Sequence, residues 1–190
     1  MAYLEPNEPL LIIIGPSGAG KSSAIQKLAG QNLIVVTPSW TTRPPRGNEA
    51  ETAIEHKFAT AKEFENERGE GHFLDVVQLF GLPYRYALPK VQKPNSGRVP
   101  LIMLRVSLLP LLSKHYSNYI VYQIEDEYDR VEKRIRAREA NGEEQGSRLK
   151  DYQKEVELGR KVADRVFVNS SELQALVDSL SQAIRQEFGR

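Results

Sequence analysis

The sequence contains no cysteine, which excludes disulfides, thiolate metal centres and cysteine nucleophiles. It also carries almost no net charge. With 26 Lys+Arg against 25 Asp+Glu the balance is +1, so no whole-molecule field selects nucleic acid or an anionic membrane, and any recognition of anions must be local. Long apolar runs are missing too. The opening "MAYLEPNEPL" has acids where a secretion signal needs basic residues, and the "LLIII" that follows is far too short to cross a bilayer. The most apolar later stretch, "VPLIMLRVSLLPLL", is interrupted by Arg105 and two prolines and reads as a buried strand followed by a helix. These absences lead to the expectation of a cytoplasmic protein with neither a nucleic-acid nor a membrane partner. What is present, 190 residues of which 40% are hydrophobic and 27% charged, suffices for one domain with a core, or for a core carrying a small insertion.

Apolar β-type runs alternate with helical patterns along the chain: "LLIII", "KSSAIQKLA", "LIVV", "LIMLRV", "SLLPLLSKHY", "YIVYQI", "YDRVEKRIRARE", "RVFV" and "SELQALVDSLSQAI". Continuous apolar strands separated by helices indicate a parallel sheet covered on both faces, an α/β fold. Ser171, with Gln174 three residues on, predicts a capping box ahead of the last helix. The alternation fails between about residues 37 and 89, a polar region rich in Pro, Gly and charge with one helix near 61–68, which reads as an insertion. A second polar interruption, at about 139–147, reads as a lid. The core then comprises about 9–36, 90–138 and 148–190.

The strongest chemical signal is "GPSGAGKS", which fits G-x-x-x-x-G-K-[ST], follows an apolar strand and opens a helix. Such a loop aims successive backbone N–H groups at phosphate oxygens, and the helix N-terminus adds partial positive charge. Gly15, Pro16, Ser17, Gly18, Ala19, Gly20, Lys21, Ser22 and Ser23 are therefore the expected nucleotide-binding residues. Lys21 would reach the β- and γ-phosphates of ATP, and the Ser22 hydroxyl would ligate Mg²⁺. Phosphate binding alone does not separate a switch protein, a motor and a kinase.

A second anion site would separate them. In "SWTTRPPRGNE", Arg43 and Arg46 lie three apart with prolines between them, and proline makes this an extended, stiff strap rather than a helix or a ladder strand. Arginine forks hold phosphate oxygens bidentately, as a kinase of small phosphorylated acceptors requires. At this point the chain closely resembles the guanylate kinase family. Ser39, Thr41, Thr42, Arg43, Pro45, Arg46 and Glu49 stand in place of that family's S-x-T-T-R-x-P-R-x-G-E, with Gly47 displaced by one. "FLDVVQLFGLPYRY" is similar to the family's next segment through Phe73, Asp75, Gly81 and Tyr84, and "RIRAREANGEEQGSRL" is similar to its lid.

The resemblance implies a P-loop kinase core with an inserted acceptor-binding domain and a lid, transferring phosphoryl from ATP to GMP. It implies that Ser39 and Asp75 read the base, that Arg43, Arg46 and Tyr84 hold the acceptor phosphate, with Glu49 and His56 also on the acceptor side, and that Lys21, Arg138 and Arg148 act on the transferring group. One carboxylate can accept from both guanine donors, N1–H and the 2-amino group. The acceptor oxygen is already anionic, so catalysis reduces to positioning and charge neutralisation.

Departures from the family pattern gather on the acceptor side. Met103 and Arg105 replace acids at the end of a core strand, His56 replaces a tyrosine, Val76 a tryptophan, and Arg85 and Tyr86 small residues. Arg105 makes the pocket more positive on this reading, and Arg105, Arg85 and the lost acids favour an acceptor with an additional phosphate, such as ribose 1,5-bisphosphate. A non-catalytic module that binds phosphorylated peptides is a third reading, and the intact Lys21 speaks against it. Oligomeric state is not legible in these residues.

Overall fold

The structure, a computed structural model, describes residues 2–45, 47, 49–79, 83–95, 97–138, 146, 149–170 and 172–189, with the backbone alone at Arg138. Among these residues the core sheet has five strands, β1 (Leu10–Ile14), β2 (Ile34–Thr37), β7 (Val99–Met103), β8 (Tyr119–Glu125) and β9 (Arg165–Val168), in the order β2-β7-β1-β8-β9. Every pairing among them is parallel. β1 is buried along its whole length because alternate side chains feed opposite faces, which is why its sequence is continuously apolar. Leu11 and Ile13 join a core with helix α1 (Lys21–Gly30) and the last helix, α7 (Leu173–Phe188). Leu10, Ile12 and Ile14 face the opposite way, toward Leu109 and Leu112.

Three expectations are corrected here. "SLLPLLSKHY" forms a short 3₁₀ turn (Val106–Leu108) and one turn of helix, α4 (Leu109–Leu112), because Pro110 at its start and Ser113 at its end bound it. The N-cap of α7 is Glu172, without a side-chain cap; Ser171 lies outside the described residues, and Gln174 donates instead to Asp178 at 2.8 Å. Third, the first three residues of the strap form a ladder strand: β3 (Ser39–Thr41) pairs parallel to β4 (His56–Phe58) and antiparallel to β6 (Arg85–Pro89), while residues 42–45 belong to no strand or helix.

The polar region is therefore a second sheet, of order β4-β3-β6-β5, with β5 (Phe73–Gln78) on its outside. Trp40, Phe64 and Ala87 form its small core, with Phe73 and Val76 packed against them. A single turn, α2 (Glu49–Thr52), follows the strap. Phe64 comes from α3 (Ala61–Gly69), whose start is fixed by a capping box in which Thr60 and Glu63 exchange hydrogen bonds. Helices α5 (Tyr128–Arg138) and α6 (Tyr152–Val162) pack together through Val131, Ile135 and Tyr152. The proposed lid, 139–147, lies outside the described residues apart from residue 146.

Candidate active site

The turn from β1 into α1 is shaped by glycines where nothing larger fits. Gly15 has φ 139° and a Cβ there would meet the Ile124 carbonyl oxygen at 2.0 Å; Gly20 has φ 94° and its Cβ would meet Asn169 Nδ2 at 2.4 Å. Gly20 is also the N-cap of α1 and offers no side chain to its amides, so the helix N-terminus is left for an anion. Lys21 arches back over the loop and donates to the carbonyls of Gly15 and Pro16, both at 2.7 Å.

Two further residues brace this loop. Asn169 donates to the Ala19 carbonyl at 3.0 Å, and Arg134 donates to the Gly18 carbonyl at 3.0 Å. Arg134 is itself held by Asp126 at 2.7 Å, whose fully buried carboxylate also pairs with Arg130 at 2.9 Å. None of these was singled out in the sequence. In "EKRIRARE" the i,i+4 ion pair expected of an exposed helix does form, between Glu132 and Arg136 at 2.6 Å, and the arginine turned toward the loop is two positions earlier.

The P-loop opens on a cavity of about 630 Å³ that extends from Gly15, Gly18, Gly20, Lys21, Ser22 and Ser23 to Ser39 and His56 on the second sheet and to Arg43 and Glu49 in the segment between those strands. Ser17 also lines it; Pro16 and Ala19 complete the turn from behind. Among the described lining residues, three cations, Lys21, Arg43 and Arg105, stand with three acids, Glu49, Glu55 and Glu155. Arg43 is 5% exposed, pairs with Glu49 at 2.8 Å, donates to the Pro44 carbonyl at 2.8 Å and stacks its guanidinium over Phe58. The threonines before it are structural: Thr41 Oγ1 accepts from the Arg43 amide at 3.1 Å and Thr42 Oγ1 from the Arg85 amide at 3.0 Å. Ser39 Oγ and His56 Nδ1 lie 2.7 Å apart. Burial pushes the His56 pKa below its ordinary value against the pull of Glu55, with Arg43 acting in the same direction as burial.

Arg105 does not make the cavity more positive, which corrects the expectation from sequence. Arg105 pairs with Glu155 at 2.6 Å and Asp151 at 3.3 Å, both reached from α6 and its preceding turn. The acid missing from the strand end is thus supplied by a helix, and burial pushes the Glu155 carboxyl up while Arg105 and Lys21 oppose it. Arg85 turns away to Glu65 and lies over the Phe64 ring. Asp75 and Tyr84 are not brought into the cavity lining, and the Asp75 carboxylate turns back to accept from the Val76 amide at 2.7 Å. Arg46 and Arg148, and the side chain of Arg138, lie outside the described residues.

Comparison with known proteins agrees with this geometry. The family model described as guanylate kinase matches residues 7–187. The guanylate kinase of Fusobacterium nucleatum subsp. nucleatum is 30% identical over 176 residues, covering 90% of this chain and 94% of that protein. That of Mannheimia succiniciproducens is 42% identical over 88 residues, 44% of this chain and 42% of that protein. The crystal structure of guanylate kinase from Anaplasma phagocytophilum superposes with a TM-score of 0.65 at 21% identity, covering 98% of this chain and 89% of that one. With its P-loop and second sheet meeting at one cavity, and with the family match running over nearly its whole length, this chain belongs to the guanylate kinase family.

Proposed function

We infer that the protein transfers the γ-phosphoryl group of ATP to GMP, giving ADP and GDP. The observation that carries this reading is a single cavity lined by the P-loop and by a buried arginine, Arg43, that follows the first strand of the second sheet. ATP's phosphates would replace the Gly15 and Pro16 carbonyls as partners of Lys21, and the acceptor phosphate would compete with Glu49 for Arg43. An oxygen of the acceptor phosphate attacks the γ-phosphorus, the bond to the β–γ bridging oxygen breaks, and ADP leaves. The attacking oxygen needs no base, so these side chains act by alignment and by neutralising charge.

The oxygen donors fit Mg²⁺: Ser22 lines the cavity beside Lys21, and the buried Glu155 carboxylate lines the same cavity. Ser22 would hold the ion together with phosphate oxygens, and the ion would offset charge on the transferring group. Glu155 remains tied to Arg105.

The acceptor is tested by following ADP formation from ATP in the presence of GMP, dGMP, AMP, CMP, UMP or ribose 1,5-bisphosphate. GMP should be the preferred acceptor. Turnover with the sugar bisphosphate but not GMP would replace this reading with the sugar-phosphate one, and no turnover with any acceptor would favour a binding module.

A further inference from the structure

Asp126 lies between β8 and α5, outside the cavity lining, with its carboxylate fully buried. Oδ2 accepts from Arg134 Nη1 at 2.7 Å; Oδ1 accepts from the Glu127 amide at 2.7 Å and lies 2.9 Å from Arg130 Nε. The two arginines are four apart on one face of α5, so one carboxylate meets both guanidiniums. Each arginine also reaches a loop at the site. Arg134 Nη1 donates to the Gly18 carbonyl at 3.0 Å, and Arg130 Nη1 to the Ser170 carbonyl at 2.8 Å. Ser170 follows Asn169, whose side chain holds the Ala19 carbonyl at 3.0 Å.

In a planar trans peptide the N–H of one residue points opposite to the carbonyl before it. With the Gly18 carbonyl drawn toward α5, the Ala19 amide turns back across the loop and donates to the Pro16 carbonyl at 3.4 Å. With the Ala19 carbonyl drawn toward Asn169, the Gly20 amide turns the other way at the start of α1. The direction of these peptides decides whether a phosphate meets donors or carbonyl oxygens.

We propose that Asp126 is a positioning residue of the ATP site: it touches no substrate and acts by holding Arg134 and Arg130, which keep the Gly18 carbonyl and, through Asn169, the Ala19 carbonyl turned out of the phosphate loop. The inference rests on the reading of this loop as the ATP site and is independent of which acceptor is used. Charge is what the position needs. An asparagine keeps the shape but sets an N–H donor against one guanidinium, which then loses its acceptor.

The experiment measures the ATP Kd without acceptor, kcat and KM for ATP and GMP, and the urea midpoint. It compares wild type, Asp126→Asn, Asp126→Glu, Arg134→Gln and the double variant Asp126→Asn/Arg134→Gln. Asp126→Asn should raise the ATP Kd about tenfold and lower kcat, with the GMP KM held within about twofold. Asp126→Glu, which keeps the charge, should recover at least about threefold of that loss. The double variant should bind ATP within about twofold of the weaker single variant, because the two side chains act as one unit. A merely structural carboxylate would lower the urea midpoint and leave the ATP Kd of the folded protein unchanged. Should Asp126→Asn not fold, Arg130→Gln and Arg134→Gln carry the test, each raising the ATP Kd at least about threefold with the GMP KM unchanged. The inference is overturned if the folded variants bind ATP as wild type does, if the KM values for ATP and GMP rise together, or if the single effects multiply in the double variant. If wild type binds no ATP, the ATP-site reading fails and this inference with it. If wild type binds ATP and transfers nothing to GMP, only the acceptor reading fails, and the Kd values still decide this inference.

Discussion

At the scale of single residues, charge identity is a poor guide to charge environment. Arg105 looks like an added positive group at a strand end, yet Asp151, 46 residues away in sequence, and Glu155 neutralise it, and no local pattern announces that pairing. Arg85 is likewise matched to Glu65 on α3. His56 shows what burial does to a group that can titrate. Its pKa is lowered in the folded chain, so between that lowered value and about 6.5 the unfolded chain binds a proton that the folded chain refuses. Above about 6.5 the ring is neutral in both states and contributes no penalty; below it, stability falls as pH falls, by up to about 1.4 kcal/mol per pH unit, until the folded pKa is reached. Urea midpoints at pH 7.5 and 5.5 should therefore differ more in wild type than in His56→Gln. Equal differences would mean that His56 carries no such penalty.

At the scale of elements, what was legible in the sequence depended on whether an element's partners lie within its own stretch. The P-loop was legible because its turn, its lysine and its helix are consecutive. β1 was legible because both its faces are buried. The second sheet was not: its strands are short and only partly buried, β3 and β4 pair in parallel, and the sheet closes through β3 on β6, two strands that are not consecutive in sequence, so apolar runs do not betray it. The site divides the same way. Asn169 and Arg134 reach the loop from distant elements, and Glu55 and Glu155 enter the cavity only once the sheet and α6 are in place. The packing of α6 on β8 is itself close. A Cβ on Gly159 would meet Gln123 Oε1 at 1.6 Å, and Gln123 is fully buried and pinned through Nε2 to Glu125 at 2.8 Å and to the Val156 carbonyl at 3.1 Å. Gly159→Ala should therefore destabilise the protein by about 1–3 kcal/mol in urea unfolding, although alanine favours an isolated helix by about 1 kcal/mol. A more stable variant would show that this helix is free to shift away from the sheet.

At the scale of the whole molecule, one cavity draws its lining from the elements of both sheets. The core sheet presents the phosphate loop at the carboxyl end of β1, the second sheet and the segments between its strands present Arg43, Glu49, Glu55 and His56, and α6 adds Glu155 to complete a charge-matched cavity. Both substrates must be anionic where they meet, and the structure places a cation at each end rather than a diffuse field, in keeping with a net charge of only +1. The most direct measurement is the fate of the γ-phosphoryl group itself. ATP labelled at the γ position is incubated with GMP and Mg²⁺, and the products are separated, for wild type and for Lys21→Ala. The label should appear in GDP in stoichiometric balance with ADP. With Lys21→Ala that transfer should fall at least about a hundredfold, equivalent to about 2.7 kcal/mol of barrier, while the variant stays folded. Label released only as inorganic phosphate, or transfer to GMP that survives Lys21→Ala above about a tenth of the wild-type rate, would contradict the account.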